Sequence, residues 1–262
     1  MNPMLRTLLA GGAVIASALA FTSGCVDNNA TLFIEGVIAT TPPNCVVQPD
    51  PSGVFLGSGT LDVAFRSSYT AAVLVGNQYT PRGNKENLRA ETTRVSLTGA
   101  EVSLADSTGA ALACGGGDCS NFASKFSVYG SGFVNSAKGA DPGFGAFIAE
   151  IVPAGVGASF VGQLSGVSDK RTIYASIRVF GRTTGGQDIQ SGELTFPIDI
   201  CKGCLVEYPL AALTTVDTAG RQTCDANSQD VPVSGCLPGQ DDVIDCRACA
   251  STKAICRTPP QK

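Results

Sequence analysis

From residue 31 to residue 200 the chain alternates short apolar runs with clusters of Gly, Pro, Asn, Asp and Ser. Thr31 to Ala39 (TLFIEGVIA) is rich in β-branched and apolar residues and predicts a strand. A loop rich in Pro, Asn and Asp follows from Thr41 to Gly53 and holds Cys45. Gly59 to Arg66 sets Leu61, Val63 and Phe65 against Asp62 and Ala64, the period of two of a half-buried strand. Tyr69 to Gly76 (YTAAVLVG) predicts a more buried one. Pro81 to Glu91 is the most charged stretch and reads as an exposed loop. Arg94 to Leu97 and Glu101 to Leu104 alternate again, and predict two strands parted by Thr98-Gly99-Ala100. Lys125 to Val134, Phe144 to Val152 and Ala158 to Leu164 predict further short strands, with Gly or Pro between them.

The clearest hairpin comes last. Arg171 to Arg182 places Ile173, Ala175, Ile177 and Val179 on one face, and Gln190 to Ile200 does the same with Leu194, Phe196, Ile198 and Ile200. Thr183-Thr184-Gly185-Gly186 supplies a turn between them. About ten strands at this spacing, with no amphipathic helical run, predict an all-β fold, an antiparallel β-sandwich over residues 31 to 200. The final hairpin resembles the last two strands of immunoglobulin-like or fibronectin-like modules, a likeness of fold that implies no function. Phe65, Val73, Val75, Ile173, Ile177, Phe196 and Ile198 are the expected core.

At Cys201 the pattern changes. From there to Lys262 seven cysteines fall in 62 residues, and apolar periodicity largely stops. A loop-dominated segment this poor in core residues needs covalent staples. Two CxxC pairs, Cys201-Lys-Gly-Cys204 and Cys246-Arg-Ala-Cys249, have the form of zinc knuckles, since four thiolates can surround the metal. The gap between the pairs is longer than such sites use, and an exported chain meets an oxidising compartment, so disulfides are expected and no metal. A redox role needs a CxxC at a helix N-terminus. Cys201 follows a strand, and Pro209 interrupts any helix after it. Asp241, Asp242 and Asp245 could be read as a calcium cluster, but the EF-hand spacing is absent and a solvated acidic turn is expected.

The first 24 residues have the three parts of a secretory signal. Arg6 is the positive front, Leu8 to Phe21 is an uncharged apolar run, and small residues follow. Thr22-Ser23-Gly24-Cys25 then resembles the lipobox of bacterial lipoproteins, with Thr22 where that family usually carries Leu. The resemblance covers only the leader. It implies cleavage before Cys25, acylation of its sulfur, a short lipidated tether over residues 25 to 30, and membrane attachment through the lipid. Val26 is not the Asp that resembles an inner-membrane retention signal, so outer-membrane residence is expected. Cleavage after Ala18-Leu19-Ala20 is the competing reading and would give a soluble secreted or periplasmic form. Asn29-Ala30-Thr31 matches the N-glycosylation pattern, which chance explains in a bacterial chain.

Cysteine parity separates the two cleavage readings. The chain has 11 cysteines, and an odd count leaves one without an intramolecular partner. Giving Cys25 to lipid leaves ten. Three of them, Cys45, Cys114 and Cys119, precede the tail; seven, Cys201, Cys204, Cys224, Cys236, Cys246, Cys249 and Cys256, lie within it. Both numbers are odd, so full pairing requires at least one bridge across the boundary. The short Gly-Gly-Gly-Asp loop favours Cys114 with Cys119, which leaves Cys45 to reach the tail.

Charge and composition then exclude functions. The formal charge is −4 and no basic stripe occurs, which argues against nucleic-acid binding. The chain has no His, so His-dependent triads and zinc-His sites are excluded. The glycine-rich stretches lack the phosphate-cradling contexts. The expectation is a lipid-anchored cell-envelope protein with a structural or interaction role, without catalysis or cofactor, and with an envelope protein or glycan as partner. The alternative is an envelope carbohydrate-binding or hydrolytic protein using paired carboxylates.

Overall fold

The structure, a computed structural model, describes residues 31–40, 42–81, 91–116, 119–228 and 235–259. It is mostly β, in several sheets. The first sheet runs in the order β2 (Phe55–Leu56), β1 (Leu32–Ile38), β4 (Tyr69–Asn77), β7 (Gly143–Val152). The second runs β3 (Gly59–Asp62), β10 (Leu194–Cys201), β8 (Lys170–Thr183), β5 (Val95–Ala105), β6 (Lys125–Val134), with β9 (Asp188–Gln190) also paired to β8. Within these two sheets pairing is antiparallel except between β3 and β10, which run parallel. The expectation of a wholly antiparallel arrangement is corrected there.

One apolar cluster draws on both sheets. Val73, Val75, Phe147 and Ile151 enter it from the first, and Leu97, Val102, Ile173, Ile177, Phe196 and Ile198 from the second. Alternation explains this: every second residue of β8 from Ile173 to Val179 is buried, and the residues between them are not. Strands β8 and β10 form the expected antiparallel pair, Leu194 opposite Ile177 through Cys201 opposite Lys170.

Four expectations are corrected. Arg94–Leu97 and Glu101–Leu104 belong to one strand, β5, because Thr98-Gly99 form a bulge and not a turn. Ala158–Leu164 is not a strand: helix α1 (Ala154–Phe160) follows Pro153, and Val156, Phe160 and Leu164 all enter the core at a spacing of four. Gly157 permits this, since a side chain there would run into the backbone of Ser67. Strand β3 stops at Asp62, short of Arg66, because the Asp62 carboxylate accepts the Ala64 N–H at 3.0 Å and turns the chain. Phe65 is therefore only half-buried and packs on the tail, not in the main core.

The tail carries β11 (Val206–Glu207), β12 (Thr215–Val216), β13 (Gln222–Thr223), β14 (Ile244–Asp245) and the single-turn helix α2 (Cys246–Cys249). Its own cluster is small and built largely of cysteine: Cys224, Cys246, Cys249 and Cys256 with Ala212, Ile244 and Ala250. Among the described residues five disulfides are formed: Cys45–Cys236, Cys114–Cys119, Cys201–Cys204, Cys224–Cys246 and Cys249–Cys256. Among the described residues no helix is long and apolar enough to cross a membrane.

Candidate functional site

The loop from residue 42 to residue 54 folds over the outer face of the first sheet. Val47 and Phe55 cover Ile38, Ala72 and Leu74, so this sheet has apolar contacts on both sides. The Cys45–Cys236 bridge pins this loop to the tail. Between the loop, the sheet and the tail lies a cavity of about 310 Å³. Its apolar wall includes Val37, Ile38, Leu56, Ala72 and Ile148, its polar end holds Tyr69, Gln240 and Asp241, and the disulfide stands at its rim.

Gln240 and Asp241 build the polar end. The buried Gln240 amide accepts from the Thr70 N–H at 3.0 Å and donates to the Thr70 carbonyl at 2.7 Å, as a neighbouring strand would. Asp241 does the same for the other sheet: its N–H donates to the Thr60 carbonyl at 2.9 Å and its carboxylate accepts the Thr60 N–H at 2.7 Å. Asp241 takes a left-handed backbone, φ 62°, which Asp tolerates better than most residues. Two adjacent tail residues thus clip the ends of β4 and β3 together.

The second Asp241 oxygen accepts the Tyr69 hydroxyl at 2.6 Å. Tyr69 is fully buried, its ring 6.1 Å from that of Phe196. Burial raises the Asp241 carboxyl above its ordinary value, against the lowering effect of the Tyr69 and Thr60 hydrogen bonds. Burial first, and the neighbouring Asp241 charge second, push the Tyr69 hydroxyl far up, so it stays protonated and donates. The arrangement can hold a small, mostly apolar molecule and offer acceptor capacity at one end to a donor that it carries.

The acidic group is corrected from a solvated turn to three separate fastenings. Asp241 holds Thr60 and Tyr69. Asp242 accepts the Leu237 N–H at 2.8 Å. Asp245 caps α2 through the Arg247 N–H and pairs with the Arg247 guanidinium at 2.7 Å. The two CxxC pairs do not assemble into one site. Cys201 bonds Cys204, whereas Cys246 and Cys249, on α2, bond Cys224 and Cys256. The buried Asp62 carboxylate accepts the Gly203 and Leu205 N–H groups at 2.7 and 3.0 Å and shapes the first of these turns. Asp62 stands beside Cys201 and Cys204, close enough to make a three-ligand set with free thiolates, but these two sulfurs are bonded to each other.

Tyr69, Asp62 and Gln240 are the residues that sequence reading passed over. Asp62 carried a weak signal, a lone charge between Leu61 and Val63 in an apolar run. Cys25, Asn29 and most of the charged loop at 81–91 lie outside the described residues. Comparison with known proteins finds no significant match to this chain among family models, curated proteins or solved structures.

Proposed function

We propose that this chain is a lipid-anchored cell-envelope protein, held through Cys25 and residing in the outer membrane, with a structural or interaction role and no catalysis. The observation that carries the reading is the disulfide pairing. The ten cysteines from Cys45 onward pair completely among themselves, which leaves Cys25 as the one cysteine outside the five bridges. That is the parity expected when the eleventh sulfur is reserved for lipid. Disulfides also belong to an exported chain.

The placement of the cavity supports the same role. Thr31 leaves the fold beside Gln78, at the Asn77 end of β4. The cavity lies at the Tyr69 end of that nine-residue strand, about 26 Å away at the usual rise per residue. A tether starting at Cys25 would therefore put the membrane at one end and the tail with its cavity at the other. The two facing sheets around one core also support an immunoglobulin- or fibronectin-like sandwich as the fold, an architecture that presents loops at its ends for binding.

Fractionation tests the anchor. The wild-type chain is expected in the membrane fraction, and Cys25→Ser is expected to be released or left unprocessed, since lipid attachment contributes about 0.8 kcal/mol per buried CH₂. A Cys25→Ser chain that matures normally and still sediments with membranes overturns the proposal.

A further inference from the structure

We propose that the outer face of the second sheet, where β6, β5, β8 and β9 lie side by side, is a binding groove for a neutral polysaccharide chain. The inference rests on the interaction reading above but not on the lipid anchor.

Strand register builds the groove. Tyr129 on β6 stands opposite Gly99 on β5, Gly99 opposite Phe180 on β8, and Phe180 opposite Gln190 on β9. The row reads aromatic, glycine, aromatic, amide. Gly99 lets the Phe180 ring lie over the backbone of β5: a Cβ there would come within 2.5 Å of that ring. The two rings meet edge to face with centroids 6.2 Å apart, which fixes the Tyr129 ring against Phe180. Tyr129 is 78% exposed at the edge of the sheet. The adjacent row on the same face is polar: Ser127 on β6, Glu101 on β5 and Arg178 on β8. On the other side Phe133, 57% exposed, follows on β6, with the Arg94 guanidinium 4.4 Å over its ring. The groove measures about 610 Å³.

This pattern selects its ligand. A pyranose has apolar C–H faces and hydroxyl edges. It needs a flat ring beneath it and, a few ångströms away, side chains that both donate and accept. Tyr129 supplies the ring; Ser127, Glu101 and Gln190 supply the polar edge. Glu101 and Gln190 are 3.4 Å apart, which pre-sets both planar groups. Charge points to a neutral chain. Arg182 pairs with Asp188 at 3.2 Å and Arg178 with Glu193 at 3.4 Å, which takes up both groove arginines, and the Glu101 carboxylate beside the neutral Gln190 amide disfavours an anionic polymer. A protein partner would need a contiguous apolar centre, and here the Tyr129–Phe180 pair is flanked by the polar row of Ser127, Glu101 and Arg178.

The test is affinity electrophoresis of the full chain in detergent, in native gels containing soluble β-glucan, starch, galactomannan or, as the charged comparison, alginate. At least one neutral polymer is expected to retard the wild-type chain. Tyr129→Ala should weaken that retention about tenfold or more, as expected for loss of a stacking ring, while Tyr129→Phe keeps it within about threefold. Tyr129 is exposed, so Tyr129→Ala should melt like the wild type; Glu101→Gln is a second variant that should weaken retention with the fold intact. No retardation by any neutral polymer, retardation by alginate alone, retention indifferent to Tyr129→Ala, or a Tyr129-dependent protein partner without glycan retention each overturns the proposal. The Cys25→Ser fractionation is read separately, so loss of the groove and loss of the anchor are told apart.

Discussion

The Tyr69 hydroxyl and the Asp241 carboxylate meet at 2.6 Å across a sequence separation of 172 residues. The contact joins the last apolar layer of the first sheet to the tail, and with the Thr60 hydrogen bonds it fixes both sheets to one loop.

Tyr69→Phe and Asp241→Ala should each destabilise the fold by about 1–3 kcal/mol, because each leaves a polar partner in a partly buried place unsatisfied. The double variant should cost less than the sum, by a coupling of about 0.5–3 kcal/mol. Urea melting of the four proteins of the cycle measures it. Strict additivity would show that the pair does not act as one unit.

The same pair sets a pH dependence. The Asp241 carboxyl is raised in the fold, so at a given pH the folded chain binds the proton more firmly than the unfolded chain does. Its contribution is fully present below the ordinary carboxylate value of 3.8 and is lost as pH rises through the higher folded value. Asp245, lowered by its hydrogen bonds to Arg247, works in the opposite direction. Asp241→Asn isolates the first effect. The melting temperature of wild type minus that of Asp241→Asn should be more positive at about pH 3.5 than at pH 7. A difference that does not change with pH refutes this account.

How much of this was legible follows from the physics of each residue. The β8–β10 pair could be read because one face is buried, and a one-residue slip would have reversed it. The need for a crossing bridge could be read because parity is independent of geometry. Helix α1 was missed because Val156, Phe160 and Leu164 sit among Gly, Ala and Ser, which dilute a spacing of four. Phe65 departs from the alternation because the Asp62 carboxylate ends the strand before it. Tyr69 with Asp241 left no local signal: neither residue is unusual where it stands, and only the fold brings them together.

Phe196 tests the core that the alternation predicted. It is buried, lies on β10 opposite Ala175, and its ring packs against Tyr69. Phe196→Ala should cost about 3–5 kcal/mol, through lost burial and the cavity left behind. Denaturant melting that shows no loss would mean that β10 presents its other face inward.

The final prediction concerns Cys45 and Cys236, the one bridge that ties the N-terminal loop to the tail. The other four close much shorter segments. This one spans a separation of 191 residues, so in the chain-entropy argument it restricts the unfolded chain the most, by about 5 kcal/mol. Native-state geometry adds a local effect. The bridge stands at the rim of the cavity, and the loop it holds covers Ile38, Ala72 and Leu74 on the outer face of the first sheet. Replacing both cysteines with Ser should therefore do two things. Global stability should fall by several kcal/mol, and amide exchange should rise first in residues 42–56 and 236–242, while the β8–β10 pair stays protected. Thermal melting and hydrogen exchange read the two effects separately. Uniform exchange across all strands would show that the bridge supports the whole core, and unchanged exchange at 236–242 would show that Gln240 and Asp241 hold the tail without it.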